Sequence, residues 1–468
     1  MKKWLVALVA LSLAAPAAAS RAQPLGGEQP LIRQIAAEVS AAREHDTVAK
    51  LVGFGTRHTL SDTKSDTRGI GAARRWVASQ FADYAKACGG CLTIETPSRD
   101  FTGPRVPTPT AIVDVLAIQK GTTDPGRVVV ISGHIDSLMS DYLDGKSDAP
   151  GADDDASGVA AVLEAARVLS GHKFGATIVY AVLSGEEQGL YGGTVLADYA
   201  VAQGWRVEAA LNNDIVGNSH GQSGVIDNSH VRVFSEGLRS NQTAAQETTS
   251  RNAGGELDSP SRNVARFMER LSAQYLDDLT VKMMYRPDRF GRGGDHLEMI
   301  KQGFPAVRVT ESAEDYTHEH QRVRVENGVQ YGDLLEHVDF PYLAKVTRLN
   351  AITLAALAAA PEPPRAVAQS GAVTPDTVLK WTPVPGAAAY RAWWRDTTEP
   401  RWTYSRLVPQ GTEVKLTGVN IDDWFFGVSA IGPDGFESPV TYPGVQGSFE
   451  RLPPIAPPTP FIGAPLKK

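Results

Sequence analysis

The residues of this chain best suited to chemistry are histidines and carboxylates beside glycine-marked turns. They occur in SGHIDS at 132–137, PGADDDASG at 150–158, SGEEQG at 184–189, NND at 212–214 and YTHEH at 316–320. Such a set can hold two zinc ions with a water between them. Two zinc ions bring four positive charges, which three carboxylates and a bridging hydroxide cancel, and Asp154, Glu187 and Asp214 supply those carboxylates. Neutral imidazoles complete the coordination without adding charge, and His134 and His318 are placed to provide them. Taken singly, an HxD or an EE pair is a solvated turn. ADDDASG is also a helix N-terminal cap, a role that Asp155 or Ser157 can fill at the same time. The ordered set as a whole is what points to a metal centre.

These motifs are far apart in sequence, so the fold has to gather them. Residues 111–118 and 127–131 predict strands, the second continuous enough (VVVIS) to be a buried central one. A helix is predicted over 157–169, a strand over 176–183, a helix over 190–202 and a strand over 207–211. This alternation implies an α/β fold, with a mixed, mostly parallel central sheet covered by helices on both faces. His134 and Asp136, Glu186 and Glu187, and Asp214 then all fall just past the carboxyl ends of strands, where open α/β sheets form their ligand crevice. Upstream, 31–42 and 72–87 predict amphipathic helices, and 53–57 and 69–71 read as turns. Downstream come a helix over 260–271, another opened by Gly293-Gly294-Asp295-His296, a last sheet strand over 304–310 and an Ala-rich closing helix over 342–359.

HID, GADDDASG, SGEEQGLYG, NND and a final histidine together resemble the bacterial leucyl aminopeptidase and aminopeptidase Y family of co-catalytic zinc exopeptidases, over roughly residues 31–359. The resemblance implies a phosphorylase/hydrolase-like zinc-exopeptidase fold, two Zn2+ per chain and a peptide substrate cut at its N-terminal residue. It implies that His134 and Asp214 bind one zinc, that Glu187 and His318 bind the other, and that Asp154 bridges both. Asp136 would orient His134 from behind, and Glu186 would be the general base. The last ligand departs from the family pattern: Glu319 follows His318, Arg322 stands four residues on where an Asp is usual, and His320 is a second candidate. Asp295-His296 is similar to a Ser-Asp-His stretch of relatives, with Gly294 in place of the serine. A carbonyl-assisting tyrosine has no match in FGRGG at 290–294, although Tyr285 lies upstream. His45, His58, His172 and His337 have no partners at ligand spacing.

Other readings use the same scaffold. A carboxypeptidase or dipeptidase would need a cation for the substrate carboxylate, for which Arg286, Arg289 and Arg292 are available. A glutaminyl-cyclase-like transferase would need only one metal, and a non-catalytic binding protein would not need Glu186.

The remaining chain sets the context. Its 468 residues exceed one typical domain, and a net charge of -7 provides no basic stripe for nucleic acid. Residues 1–22 read as a secretory signal, with Lys2 and Lys3, an apolar run and Ala17-Ala18-Ala19, so export to the periplasm or medium is expected. No later stretch has transmembrane length, and no membrane contact is expected after signal removal. Cys88 and Cys91 can form a small local disulfide; a redox motif or half a zinc site is the alternative. A peptidase domain is expected over 23–360 and a Pro-rich linker over 361–366. Beyond them, a small β-sandwich resembling a fibronectin type III module is expected over 367–450, followed by a Pro-rich tail over 451–468.

Overall fold

A computed structural model of the chain describes residues 27–454. The expected signal at 1–22 and most of the expected tail lie outside the described residues. In chain order come α1 (Pro30–Glu38), α2 (Ala41–Val52) and α3 (Gly69–Ala87), then β1 (Leu92–Glu95), β2 (Ser98–Gly103), β3 (Val106–Val113), β4 (Val115–Gln119) and β5 (Asp124–His134). Alternation follows, with α4 (Ala156–Leu169), β6 (Ala176–Leu183), α5 (Tyr191–Ala202), β7 (Arg206–Asn213) and β8 (His230–Phe234). Next are α6 (Ala244–Asn252), α7 (Pro260–Tyr275), β9 (Thr280–Met284), α8 (His296–Lys301), β10 (Ala306–Glu311), the pair β11 (Arg324–Glu326) and β12 (Val329–Tyr331), and α9 (Phe340–Ala359). The described chain closes with β13 (Arg365–Ser370), β14 (Thr377–Thr382), β15 (Ala389–Asp396), β16 (Tyr404–Val408), β17 (Glu413–Leu416) and β18 (Trp424–Ile431).

The large sheet runs β1-β4-β6-β5-β7-β10-β8-β9. Its middle is parallel: β5 pairs with β6 and β7, and β7 with β10. The pairs β1 with β4, β4 with β6, and β8 with β10 are antiparallel. Strand side chains alternate between faces, and in β5 Val129 and Ile131 enter one core while Val128 and Val130 enter the other. The larger core packs α1 to α4, α7 and α9 on one face, and the smaller packs α5 and α8 on the opposite face. Each fully buried Val or Ile in these strands contributes roughly 1.5–3 kcal/mol. The register thereby sets which strand ends share an edge: His134 lies opposite Leu183, and Ser132 opposite Asn212.

Two expectations need correction. Gly69 and Gly71 are not in a turn but open α3, and a Cβ on Gly71 would lie 2.5 Å from the backbone of Thr63. The glycine there permits close packing of helix on loop. The chain expected to be a linker over 361–366 also enters β13 already at Arg365.

β13, β14 and β17 form one antiparallel sheet, and β15, β16 and β18 a second. They share a core that includes Leu379, Trp381, Tyr390, Trp394 and Phe426. This unit is bound to α7 by buried polar contacts. Asp258 takes Arg266 at 2.6 Å on one oxygen and Arg395 at 2.7 Å on the other, and Trp402 Nε1 donates to Asn263. Among the described residues no helix is long and apolar enough to cross a membrane.

Candidate metal centre

Four strand ends supply the site. His134 ends β5, Glu186 and Glu187 follow β6, Asp214 follows β7, and the 312–320 loop follows β10. Asp155 ties the β5 end to α4: its carboxylate accepts from the His134 amide at 2.8 Å and, as the helix cap, from Gly158 at 2.9 Å. Arg57 is fully buried and donates to the carbonyls of Ile135, Pro150 and Gly151, which clamps the His134 turn to the aspartate run.

Two ligand groups share Asp154. His134, Asp154 and Asp214 form one, and Asp154, Glu187 and His320 the other, with ligand atoms within 4.8 Å of one another in each. One oxygen of Asp154 is 3.0 Å from His134 Nε2 and the second is 3.0 Å from His320 Nε2. His320 Nε2 is also 2.9 Å from Glu187. His134 Nε2, Asp154 Oδ1 and Glu187 Oε1 are buried yet make no hydrogen bond, an arrangement that is costly unless a cation fills it. Burial alone would drive both imidazoles toward their neutral form. The carboxylates around His134, Asp155 and Asp136 foremost, and Glu187 and Asp154 around His320, hold their pKa values well above the usual range instead. The cluster therefore demands positive charge, and its imidazole and carboxylate donors fit two zinc ions.

The final histidine is a correction. His318 joins neither ligand group; its ring stacks on His337 at 3.6 Å, and its Nε2 is 3.8 Å from Asp315. His320 has left-handed backbone (φ 52), which turns its side chain back toward Asp154 and Glu187. Nothing in the sequence announces that conformation at a non-glycine residue.

Asp136 sits behind the centre, fully buried. Its backbone carbonyl meets His134 Nδ1 at 3.0 Å, while its carboxylate, 3.6 Å from that nitrogen, receives the amides of Glu186 at 3.3 Å and Glu187 at 3.1 Å. It thus fixes both the imidazole and the Glu186-Glu187 turn. Glu186 is half-buried beside this centre; burial first, then Asp214, Glu187 and Asp295, push its carboxyl pKa well above the usual range.

Several supporting residues were not foreseen. Arg308 donates to Asp214 at 2.7 Å and to the Gly293 carbonyl at 2.9 Å. Asp333 accepts the amides of Asp153 at 2.8 Å and Asp154 at 2.7 Å. Arg308 had a readable signal, because a charged residue inside the all-buried strand AVRVTE requires a partner; Asp333, in an irregular loop, had none. Tyr285 lies against the Arg262 guanidinium at 3.9 Å. Arg289 and Arg292 are engaged by Glu314, and Arg292 also by Glu319.

Comparison with known proteins agrees with this geometry. The model of "Peptidase family M28" matches residues 114–334. A "Probable zinc metalloprotease" of Pyrenophora teres f. teres is 43% identical over 418 residues, covering 88% of this chain and 86% of the relative. Another, of Pyricularia oryzae, is 41% identical, covering 87% and 83%. Among solved structures, LapB from Legionella pneumophila shares the fold at a TM-score of 0.50 and 19% identity, over 70% of this chain and 75% of that one.

Proposed function

From a chain that belongs to peptidase family M28 and is a zinc-dependent metallopeptidase acting on peptides, we propose an aminopeptidase that removes the N-terminal residue. The observation that carries the reading is the charge of the site. Carboxylates crowd it, while Arg289, Arg292 and Arg308 are already paired with Glu314, Glu319 and Asp214. A substrate α-ammonium suits such surroundings. A substrate C-terminal carboxylate, which a carboxypeptidase must hold, would have to displace one of these pairs or turn to Arg286, which lies over the Phe290 ring and, among the described residues, forms no ion pair. The motif likeness to bacterial leucyl aminopeptidases and aminopeptidase Y supports the same direction. The second ligand group tells against a one-metal transferase, and the retention of Glu186 against a non-catalytic binder.

In this reading His134, Asp154 and Asp214 would hold one zinc, and Asp154, Glu187 and His320 the other. The chemistry such ions would supply is polarisation of the scissile carbonyl and a more acidic water. Glu186 takes the proton of the attacking water and returns it to the leaving amine. Asp136 keeps His134 and the Glu186-Glu187 turn in place, and Arg308 keeps Asp214 oriented. The segment over 218–292, beside the sheet edge, selects the side chain.

The protein is read as exported, which the signal-like residues 1–22 and the Cys88–Cys91 disulfide support. Residues 23–360 are read as the peptidase domain, 361–364 as the linker that runs into β13, and the chain from β13 to residue 450 as a fibronectin type III-like module. The paired antiparallel sheets support that last reading. The test is hydrolysis of aminoacyl-anilides beside N-acetylated peptides of the same sequence, with zinc measured on the same sample. Cleavage confined to free N-termini is expected; cleavage of the blocked peptides alone would overturn the reading.

A further inference from the structure

A cleft of about 690 Å³ lies away from the ligand groups, between α3, the loop at 59–63 and the β2–β3 hairpin. Arg74, from α3, lines it. This side chain is buried, with its Nε donating to Ser184 Oγ at 3.0 Å and its Nη2 without a hydrogen-bond partner. Among the described residues it forms no ion pair within 4.0 Å, and the buried carboxylates of Asp114 and Asp136 act on its charge only from farther off. A buried cation whose anions stand beyond ion-pair distance is incompletely compensated, and an arriving anion would relieve that cost.

The neighbouring Arg75 offers no second charge, because it is committed to the carbonyls of Thr63 and Ser65 and to Asp66. With Nε donating to Ser184 and Nη2 out of contact with solvent, only one terminal nitrogen is left to meet a ligand, which suits a monoanion better than a phosphate dianion. The lining agrees in kind: Thr59, Ser61 and Thr110 stand among Leu60, Pro107 and Val113. The volume is that of a small-molecule pocket.

We propose that this cleft binds a small organic carboxylate, its head on Arg74 and its apolar body against the hairpin. The site abuts the catalytic turn from behind. Arg74 holds Ser184, two residues before Glu186, and Thr59 donates to Asp136 at 3.1 Å, the carboxylate that receives the Glu186 and Glu187 amides.

The experiment is calorimetric titration of the full zinc-loaded protein with 4-methylpentanoate, in the presence of a saturating hydroxamate that blocks the metal centre. One site per chain is expected, with 4-methylpentanamide binding at least about tenfold more weakly, since the charge-assisted pairing is lost. Arg74→Met should abolish binding. Ala78→Trp, which fills the cleft from a half-buried position on α3 without disturbing a buried charge, should do the same and covers the case in which Arg74→Met fails to fold. Absence of binding by the acid, equal binding of the amide, loss of binding whenever the hydroxamate is present, or undiminished binding in Ala78→Trp would each overturn the proposal.

Discussion

Glu186 and the two histidines near the end of the peptidase region separate binding from chemistry. Glu186 lies outside both ligand groups, so Glu186→Gln should retain both zincs while kcat falls roughly 10²–10⁴-fold or more, the usual reach of a positioned acid-base group. Metal analysis beside kinetics checks this, and an unchanged kcat at full zinc would remove Glu186 from the reaction. His320→Ala should lose about one zinc per chain, since a ligand group cut from three protein donors to two holds zinc poorly. His318→Ala should keep both, because its ring stacks on His337 and touches neither group. Equal zinc loss in the two variants would reverse that assignment. The sequence made His134, Asp154, Glu187 and Asp214 legible because each stands in a short motif beside a strand end. His320 was not, because the choice between two histidines two residues apart rests on one left-handed residue.

Elements were legible in proportion to their burial. β6, apolar on both faces, could be read to the residue and α4 and α9 to within two, while β5 and β7 could be read only over their apolar middles, because polar residues begin or end them. β8, β9 and β16 could not: their burial patterns are interrupted, and pairing rather than composition makes them strands. The crossing of β5 over α4 gives a test at this scale. A Cβ on Gly133 would stand 2.6 Å from the Gly158 backbone, in the helix turn that Asp155 caps. Neither partner is a flexible side-chain tip, so Gly133→Ala has to separate strand from helix, at a cost of about 1–3 kcal/mol or more. Denaturant unfolding should show that loss. Zinc content should fall with it, because His134 and Asp154 lie on opposite sides of the crossing. Wild-type stability in the variant would mean that the strand-helix contact is looser than described.

At the scale of the whole molecule, the C-terminal sheets are held to the peptidase region by charge buried at their junction. Arg395 meets Asp258, and Arg239 donates to the carbonyls of Ser448 at 2.6 Å and Glu450 at 2.9 Å. The sequence showed two units but not this attachment, because Asp258 and Arg395 are 137 positions apart and neither stands in a motif. Glu236 lies beside the junction, its carboxylate accepting from the Ser240 amide at 3.1 Å. Burial raises its pKa from the ordinary 4.5 to about 7, against the opposing pull of Ser240 and Arg239. Below pH 4.5 the group is neutral whether the chain is folded or not, and it costs the fold nothing. Between 4.5 and about 7 the unfolded chain releases the proton while the folded chain keeps it, so stability falls as pH rises, and above 7 the loss is complete. The loss is roughly 3 kcal/mol. Glu236→Gln keeps an acceptor for Ser240 and removes the titration. Unfolding midpoints of the two proteins should therefore lie close together near pH 4.5 and diverge by pH 8, with the variant the more stable. A gap that does not change with pH would show that Glu236 titrates alike in the folded and unfolded chain.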